Sequence, residues 1–434
     1  MRRWLATIAA VAILFAPGCR PEESGTVVLR IANWGGAGDD NEFSRTVRDL
    51  YRQFEAENPG VTIRVESIPG SQNYVSKMLL SYIAGSQPDV MALDASSAAV
   101  FIDNGALLDL QPSIERDPTF RIDDFFPNVV DIARRGKALY AIPGDFTPMV
   151  LYYNKRLFDA AGVPHPKDNW TFDEFLDAAK KLTIPGDRPG DPPKQFGFKF
   201  ANWMPGWITW LWNNDGDVLS PSGDQAGGYL DGPGSIDAVQ FLIDLVDKHR
   251  VAPSLSQAAA AGVDLFLTER AAMEISGHWS LVSYGAKDAD GKPIHPLKVE
   301  DVGVTTVPTR RGRSVTVMYE SGLAIGKHCR HPEVAWKFIR FMTSKAVQSR
   351  YNATGIAVCG RRDVAAASAV GNPLKQKFLE IVPTARPPWG SRVEGYDFVE
   401  TTGQKAMDNA LGGTPVPVAL REGARRIDGY FRIR

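Results

Sequence analysis

Residues 140–154, YAIPGDFTPMVLYYN, limit the choice of fold more than any other stretch of this chain. They begin as a short strand, meet Pro143-Gly144, carry an acid at Asp145 and resume as an apolar, aromatic run ending in Asn154. Proline lacks a ladder donor and glycine packs nothing, so the pair does not suit the middle of a buried sheet. The pattern predicts a strand that leaves one sheet at Pro143-Gly144 and enters another. A length of 434 residues agrees, because it exceeds one ordinary core and implies two or three lobes.

Around that break, strands and helices alternate. Residues 27–33 read as a near-continuously apolar strand ending at Trp34-Gly35-Gly36. Phe43, Val47, Leu50, Tyr51 and Phe54 recur at helical spacing up to Asn58-Pro59-Gly60. A strand over 61–68, a helix over 74–84 and a short buried strand over 88–93 complete a βαβαβ order, the pattern of a mainly parallel sheet covered on both faces. Beyond the break, Thr171 and Glu174 form a capping-box pattern ahead of an apolar stripe. A strand over 196–200 follows, then helices near 235–248 and 262–268, and strands over 271–276 and 302–307. Residues 314–325, SVTVMYESGLAI, repeat the broken-strand pattern around Glu320-Ser321-Gly322. Residues 355–359 and the Pro-rich 383–388 are read as a third crossing.

The first residues are an address label. Arg2 and Arg3 precede an apolar run, 4–15, too short to span a bilayer, and then Ala16-Pro17-Gly18-Cys19. A cysteine after small residues at this point resembles a bacterial lipobox, so a signal peptide over 1–18, lipidation at Cys19 and a flexible tether over 19–26 are expected. Export permits Cys329 and Cys359 to pair, and the sequence leaves that open.

Charge is balanced, 49 Lys+Arg against 50 Asp+Glu, which leaves no basic field for nucleic acid. There is no Walker-type loop, no GxSxG elbow and no HExxH pair, and GGAG after the first strand is not GxGxxG. His328-Cys329-Arg330-His331 lacks a second ligand cluster, so no metal site is expected. Asp39-Asp40 and Asp123-Asp124 suit solvated turns and helix starts. No enzyme signature and no cofactor emerge. With 10 Trp the chain is rich in flat apolar side chains, which serve either a core or a stacking surface.

The segments FEAENPGVTIRVE, KMLLSYIAGSQPDVMALD, NGALLDL, the YAIPGDFTPMVLYYN stretch, the Trp-Thr start of the 170–182 helix and AMEISGHW together resemble one family over nearly the whole mature chain. It is the extracellular solute-binding proteins of ATP-driven importers, in the sugar-binding, maltodextrin-type branch. The resemblance implies a two-lobed α/β periplasmic-binding-protein fold (type II), each lobe a mainly parallel sheet flanked by helices, joined by three hinge crossings. One lobe would take 27–143 and 319–354, the other 144–318 and 355–434. It further implies a monomeric, exported receptor, anchored to the membrane by lipid or periplasmic, that closes on a carbohydrate and passes it to the permease subunits. The alternatives are a receptor for a ligand of the glycerol-phosphate type and a secreted carbohydrate-active enzyme.

A sugar presents hydroxyl rims and an apolar ring face, so its site combines carboxylates, amides and Arg with aromatic platforms at a junction of lobes. Strand-end loops supply the candidates. Asn33 and Trp34 end the first strand and suit either capping and packing or contact. Asp94 ends the third strand, where it could contact ligand or cap the next helix. Gln72 and Asn73 precede a helix and offer amides. Asp145 sits at the first crossing, where the resemblance implies a carboxylate that accepts sugar hydroxyls. In NWMPGWITWLW, Pro205-Gly206 predicts a loop entering a helix near Trp207. The resemblance makes Trp203 and Trp207 ligand-facing, with Trp210 and Trp212 in the core, and assigns Trp279 a stacking role. Glu320 and Ser321, on the second crossing, are expected to face the same cleft. Arg386 and Trp389 are late-chain candidates, the former able to pair a carboxylate or phosphate.

Overall fold

The computed structural model describes residues 26–34, 41–288 and 290–433. The signal peptide, Cys19 and all of the tether but Thr26 lie outside the described residues. The strands are β1 (Val27–Asn33), β2 (Val61–Ser67), β3 (Val90–Asp94), β4 (Arg134–Arg135), β5 (Ala138–Leu139), β6 (Ile142–Pro148), β7 (Val150–Asn154), β8 (Met273–Ser276), β9 (Val302–Thr305), β10 (Thr316–Ile325), β11 (Val358–Cys359) and β12 (Ala385–Arg386). A first sheet runs β11-β6-β10-β3-β1-β2, with β12 also on β10, and a second runs β8-β7-β9.

β1 pairs in parallel with β2 and β3, as helical crossovers require. The first crossover helix, Glu42–Glu57, is capped by the Asn41 side chain and buries Leu50 and Phe54. The second, Ser71–Ile83, starts earlier than expected, so Gln72 and Asn73 lie within its first turn. β6 and β10 enter the first sheet antiparallel, which makes it mixed. In the second sheet β7 is antiparallel to both neighbours, and only isolated bridges, Phe196–Ala271 and Lys199–Glu274, add parallel pairing. The parallel character expected of each lobe therefore holds for the βαβαβ start and not for the second sheet. Only the start has helical crossovers between adjacent strands.

Pro143-Gly144 does not end its strand. Ser321 faces Asp145 while Gly322 faces Pro143, so Gly144 is the extra residue of a β-bulge. A Cβ at Gly144 would stand 3.0 Å from the Ser321 carbonyl oxygen, which explains the glycine by close backbone approach. The missing proline donor is tolerated at such an irregularity. The sheets change five residues later. The Met149 N–H still donates to Val317 O at 2.9 Å, and Val150 already pairs with Ser276 of the second sheet. The divisions expected at 143/144 and 318/319 thus fall inside β6 and β10.

Each of the two lobes has its own core. One gathers Leu50, Phe54, Tyr74, Phe101 and Phe338 around the first sheet, and the other Phe172, Phe175, Phe198, Trp207, Trp210 and Phe241 near the second. A third cluster takes Phe146 from β6, Tyr152 from β7, Val304 from β9, Val358 from β11 and Phe378. Here the crossings pack against one another rather than run as bare linkers. His278 joins them, its N–H donating to Thr147 Oγ1 at 2.7 Å and its Nδ1 lying 2.9 Å from Gly355 O.

Local signals mostly find their elements. Thr171 and Glu174 form the reciprocal capping box of Phe172–Leu182. Pro205 and Gly206 do not delay the helix to Trp207. Met204–Trp212 is one helix with proline in its first turn, where no intrahelical donor is lost. Residues 196–200 form no continuous strand, and the helix expected over 262–268 is instead Leu255–Ala261, closed by left-handed Gly262.

Candidate functional site

A cleft of about 330 Å³ opens at the carboxyl ends of β1 and β3, where the helices and loops of the second half of the chain face the first sheet. Trp34 and Tyr74 form one aromatic wall, edge to face with centroids 5.4 Å apart. Trp203, Pro205, Tyr319 and Tyr396 line the same cleft. Trp203 is 42% exposed, unusual for so large an apolar ring, and its other neighbour is Trp279 at 6.1 Å. Trp279 is half-buried behind Trp203, packed on Gly277, and does not itself line the cleft.

Three carboxylates complete the lining: Asp94, Asp397 and Glu400. Asp94 takes the capping role foreseen for it and also borders the cleft. One of its oxygens caps the 3₁₀ turn Ala95–Ser97 by accepting from Ser96 N at 2.7 Å and from the Ser96 hydroxyl. Burial pushes its pKa up despite those bonds. Glu400 is pushed up to about 7, by burial first and then by the charges of Asp94 and Asp397.

Asp145 and Ser321 neighbour this group. Ser321 pairs with Asp94 on β3 and with Asp145 on β6, so three polar side chains stand in a row on one face. Tyr351 donates its hydroxyl to Asp145 Oδ2. Burial raises Asp145 to about 6, opposed by the bonds from Tyr351 and Ser321.

Glu320 does not share that face. It pairs with Phe146 and follows the opposite parity of β10, so its carboxyl lies beneath the sheet, 1% exposed, with no hydrogen-bond partner for either oxygen. Adjacent strand residues cannot both face one cleft, and Tyr319 and Ser321 occupy the cleft side. Trp207 is likewise absent from the wall. It is 1% exposed inside a core, its indole N–H donating to Gln404 Oε1 at 3.1 Å. A helix through Met204 turns Trp207 inward and leaves Trp203, the residue before the helix, outward. Trp210 and Trp212 are buried, as expected.

Arg386 and Trp389 lie elsewhere. Trp389 is buried and donates to Asp217 Oδ1 at 2.7 Å, while Arg386 pairs with Asp217 and stacks 4.2 Å over Trp212. They border a separate hollow of about 480 Å³. Asn33 ties β1 to β2 by accepting from Ser67 Oγ at 3.0 Å, and its side chain also bonds Tyr51. Asn73 is exposed near Gly70, and the Gln72 side chain is outside what is described. Tyr319, Tyr396, Asp397 and Glu400 were not singled out from the sequence. Tyr396 and Glu400 are four apart at the start of the helix Tyr396–Leu411, an ordinary amphipathic spacing that carries no mark of a cleft.

Among the described residues no group of three metal-ligating side chains occurs, and no helix is long and apolar enough to cross a membrane. Known proteins share this architecture. A putative binding protein of Brucella abortus is 24% identical over 425 residues, covering 94% of this chain and 97% of its own. The multiple sugar-binding protein of Streptococcus mutans is 24% identical over 74% of each chain. Among solved structures, the ABC substrate-binding protein of Listeria monocytogenes in complex with cycloalternan superposes with a TM-score of 0.78 at 21% identity, over 94% of this chain and 99% of that one. Maltose-bound MalE3 of T. maritima gives 0.74 at 22% identity, over 93% of this chain and 100% of its own. Such proteins bind ligands for ABC transporters and are not enzymes. The model of the bacterial extracellular solute-binding protein family matches residues 37–349, most of the chain, and the protein belongs to that family.

Proposed function

We propose that this protein is the receptor of an ATP-driven importer and captures a carbohydrate of one to a few rings in the cleft between its lobes. The observation that carries this reading is the pairing of aromatic faces, Trp34, Tyr74 and Trp203, with the carboxyl oxygens of Asp94 and Glu400 around one hollow. Ring faces stack on the former and hydroxyls donate to the latter. Relatives named for sugars, and neighbours holding maltose or cycloalternan, support the same class. Ligand contacts are assigned to Trp34, Asp94, Trp203, Tyr319, Tyr396 and Glu400, with Asp145 and Ser321 at the edge.

The lobe built on β1–β3 moves against the lobe built on β7–β9 about Met149, the β10 entry and β11. Closure buries the ligand because each side contributes contacts only when shut. A monomer, exported and held to the membrane through lipid on Cys19, would deliver the ligand to permease subunits. The glycerol-phosphate reading has a named relative, the sn-glycerol-3-phosphate-binding protein of Brucella abortus. The cleft lining weighs against it, since no Lys or Arg is among the described residues there.

The test is a thermal-shift screen of the purified protein with monosaccharides, disaccharides, maltodextrins, polyols and sn-glycerol 3-phosphate. A ligand at a hundred times its Kd stabilises by about 2.7 kcal/mol, several degrees for a chain of this kind. A sugar that raises Tm, followed by calorimetric binding near one per chain, supports the reading. A response to glycerol 3-phosphate alone would overturn it.

A further inference from the structure

We infer that the ligand of this cleft is an amine-bearing saccharide, whose ammonium sits between Asp94 and Glu400 while its ring lies against Trp34 and Trp203. This rests on the carbohydrate reading above and specifies it further.

A neutral sugar offers as many acceptors as donors, so a matching site supplies both. Here several of the hydroxyl donors around the hollow are committed within the protein. Ser96 Oγ donates to Asp94, Ser97 Oγ to the Asp94 carbonyl, Tyr74 Oη to the Ala32 and Ala92 carbonyls, and Tyr396 Oη to Met204 Sδ. What remains sets the second oxygen of Asp94 and both carboxyl oxygens of Asp397 and Glu400 against the indole N–H groups of Trp34 and Trp203 and the hydroxyls of Tyr319 and Ser76. None of these donors has a partner among the described residues, and the negative charge lies wholly with the carboxyl oxygens. An ammonium is the complementary group, with three donors and no acceptor.

Charge leads to the same class. None of Asp94, Asp397 and Glu400 forms an ion pair among the described residues, and no Lys or Arg lines the hollow with them. Residues 35–40 after Trp34, Gly-Gly-Ala-Gly-Asp-Asp, hold no cation in sequence either. Neighbouring carboxylates that repel one another in a half-buried cleft are costly when empty. Elsewhere the chain pairs one buried acid, Glu274, directly with Lys199 at 2.7 Å and leaves another, Glu320, without a partner. The aromatic walls suit a cation as well as an apolar ring, because ring faces carry negative potential.

The experiment measures binding to the whole mature protein by calorimetry, at low and at physiological salt. The probes are glucosamine, the β-1,4-linked glucosamine disaccharide and kanamycin A, each beside its N-acetylated form, together with cellobiose and maltose. Acetylation keeps the ring and removes the charge. The expected result is binding of at least one amine at least roughly tenfold tighter than its acetylated partner, weakening as salt rises. Glu400→Gln is expected to weaken binding of the amine by a larger factor than binding of its acetylated partner, and so to shrink that preference. Equal or tighter binding of the acetylated or neutral sugars would overturn the inference and leave the carbohydrate reading standing. No response to any saccharide would overturn both. A preference that survives Glu400→Gln and Asp94→Asn would also overturn it, since the charge would then be recognised elsewhere.

Discussion

Asp94 and Asp145 stand on opposite flanks of Ser321, each paired with it directly across β10, so two acids share one face of a sheet between the lobes. Asp145 is raised from 3.8 to about 6 by burial, with the Asp94 charge adding to it. Below pH 4 the group is protonated in the folded and unfolded chain alike. Between about 4 and 6 the unfolded chain ionises first, so stability falls with rising pH, at up to about 1.4 kcal/mol per unit for this group. Above 6 both states are ionised and the slope vanishes. Asp145→Asn is expected to flatten the fall in Tm across that window in the ligand-free protein. Parallel Tm profiles for the two proteins from pH 4 to 6 would remove the assignment.

Glu320 gives a second pH effect, coupled to the first through the Asp145 charge. Its carboxyl is buried and unpartnered beneath β10, and burial, then the charges of Asp94 and Asp145, raise it well above 4.5. The folded chain therefore keeps the proton while the unfolded chain releases it above pH 4.5, and stability is lost as pH rises from there. Glu320→Gln keeps the shape and cannot ionise. It is expected to raise Tm at pH 7.5, with the gain fading towards pH 4.5. A variant less stable than the parent at pH 7.5 would indicate a carboxylate partner that the geometry does not contain.

The cysteine question left open by the sequence has a direct readout. Cys359 lies buried in β11 and Cys329 half-buried after β10, and both are free thiols. Burial pushes each up to about 12, which leaves almost no thiolate at neutral pH. Ellman's reagent is expected to react slowly with either in the native protein and with both in guanidinium. A native mobility shift on reduction in a Cys19→Ser protein would establish a bridge instead.

What was legible in the sequence was local. The βαβαβ alternation and the Thr171–Glu174 box were readable because helical period and capping involve residues a few positions apart. Pro143-Gly144 marked an irregularity whose nature depends on the Ser321 carbonyl, far along the chain, so a bulge looked like a break. The face taken by Glu320 depends on the same register: one residue of shift in a strand exchanges its sides. The cleft was readable in part. Trp34, Asp94 and Trp203 end or precede elements, and the structure gathers them. Tyr396 and Glu400 reach the hollow only through the packing of a late helix, for which no local pattern exists.

Trp203 and Trp207 separate stacking from packing within five residues. Trp207 is sealed in the core beside Met204 and donates to Gln404, so Trp207→Ala removes a large buried ring and one hydrogen bond. Losses of about 3–5 kcal/mol are usual for such a truncation, enough to lower Tm by many degrees. Trp203 keeps 42% of its surface in solvent and touches Trp279 on one side only. Trp203→Ala therefore leaves Tm of the empty protein within a degree or two, yet weakens saccharide binding by about 1–3 kcal/mol, the scale of a lost aromatic contact. Calorimetric unfolding and binding measured on both variants decide the matter. Were Trp207→Ala to fold with unchanged Tm and lose affinity while Trp203→Ala did neither, the helix would have to begin later than Met204, and the two tryptophans would exchange roles.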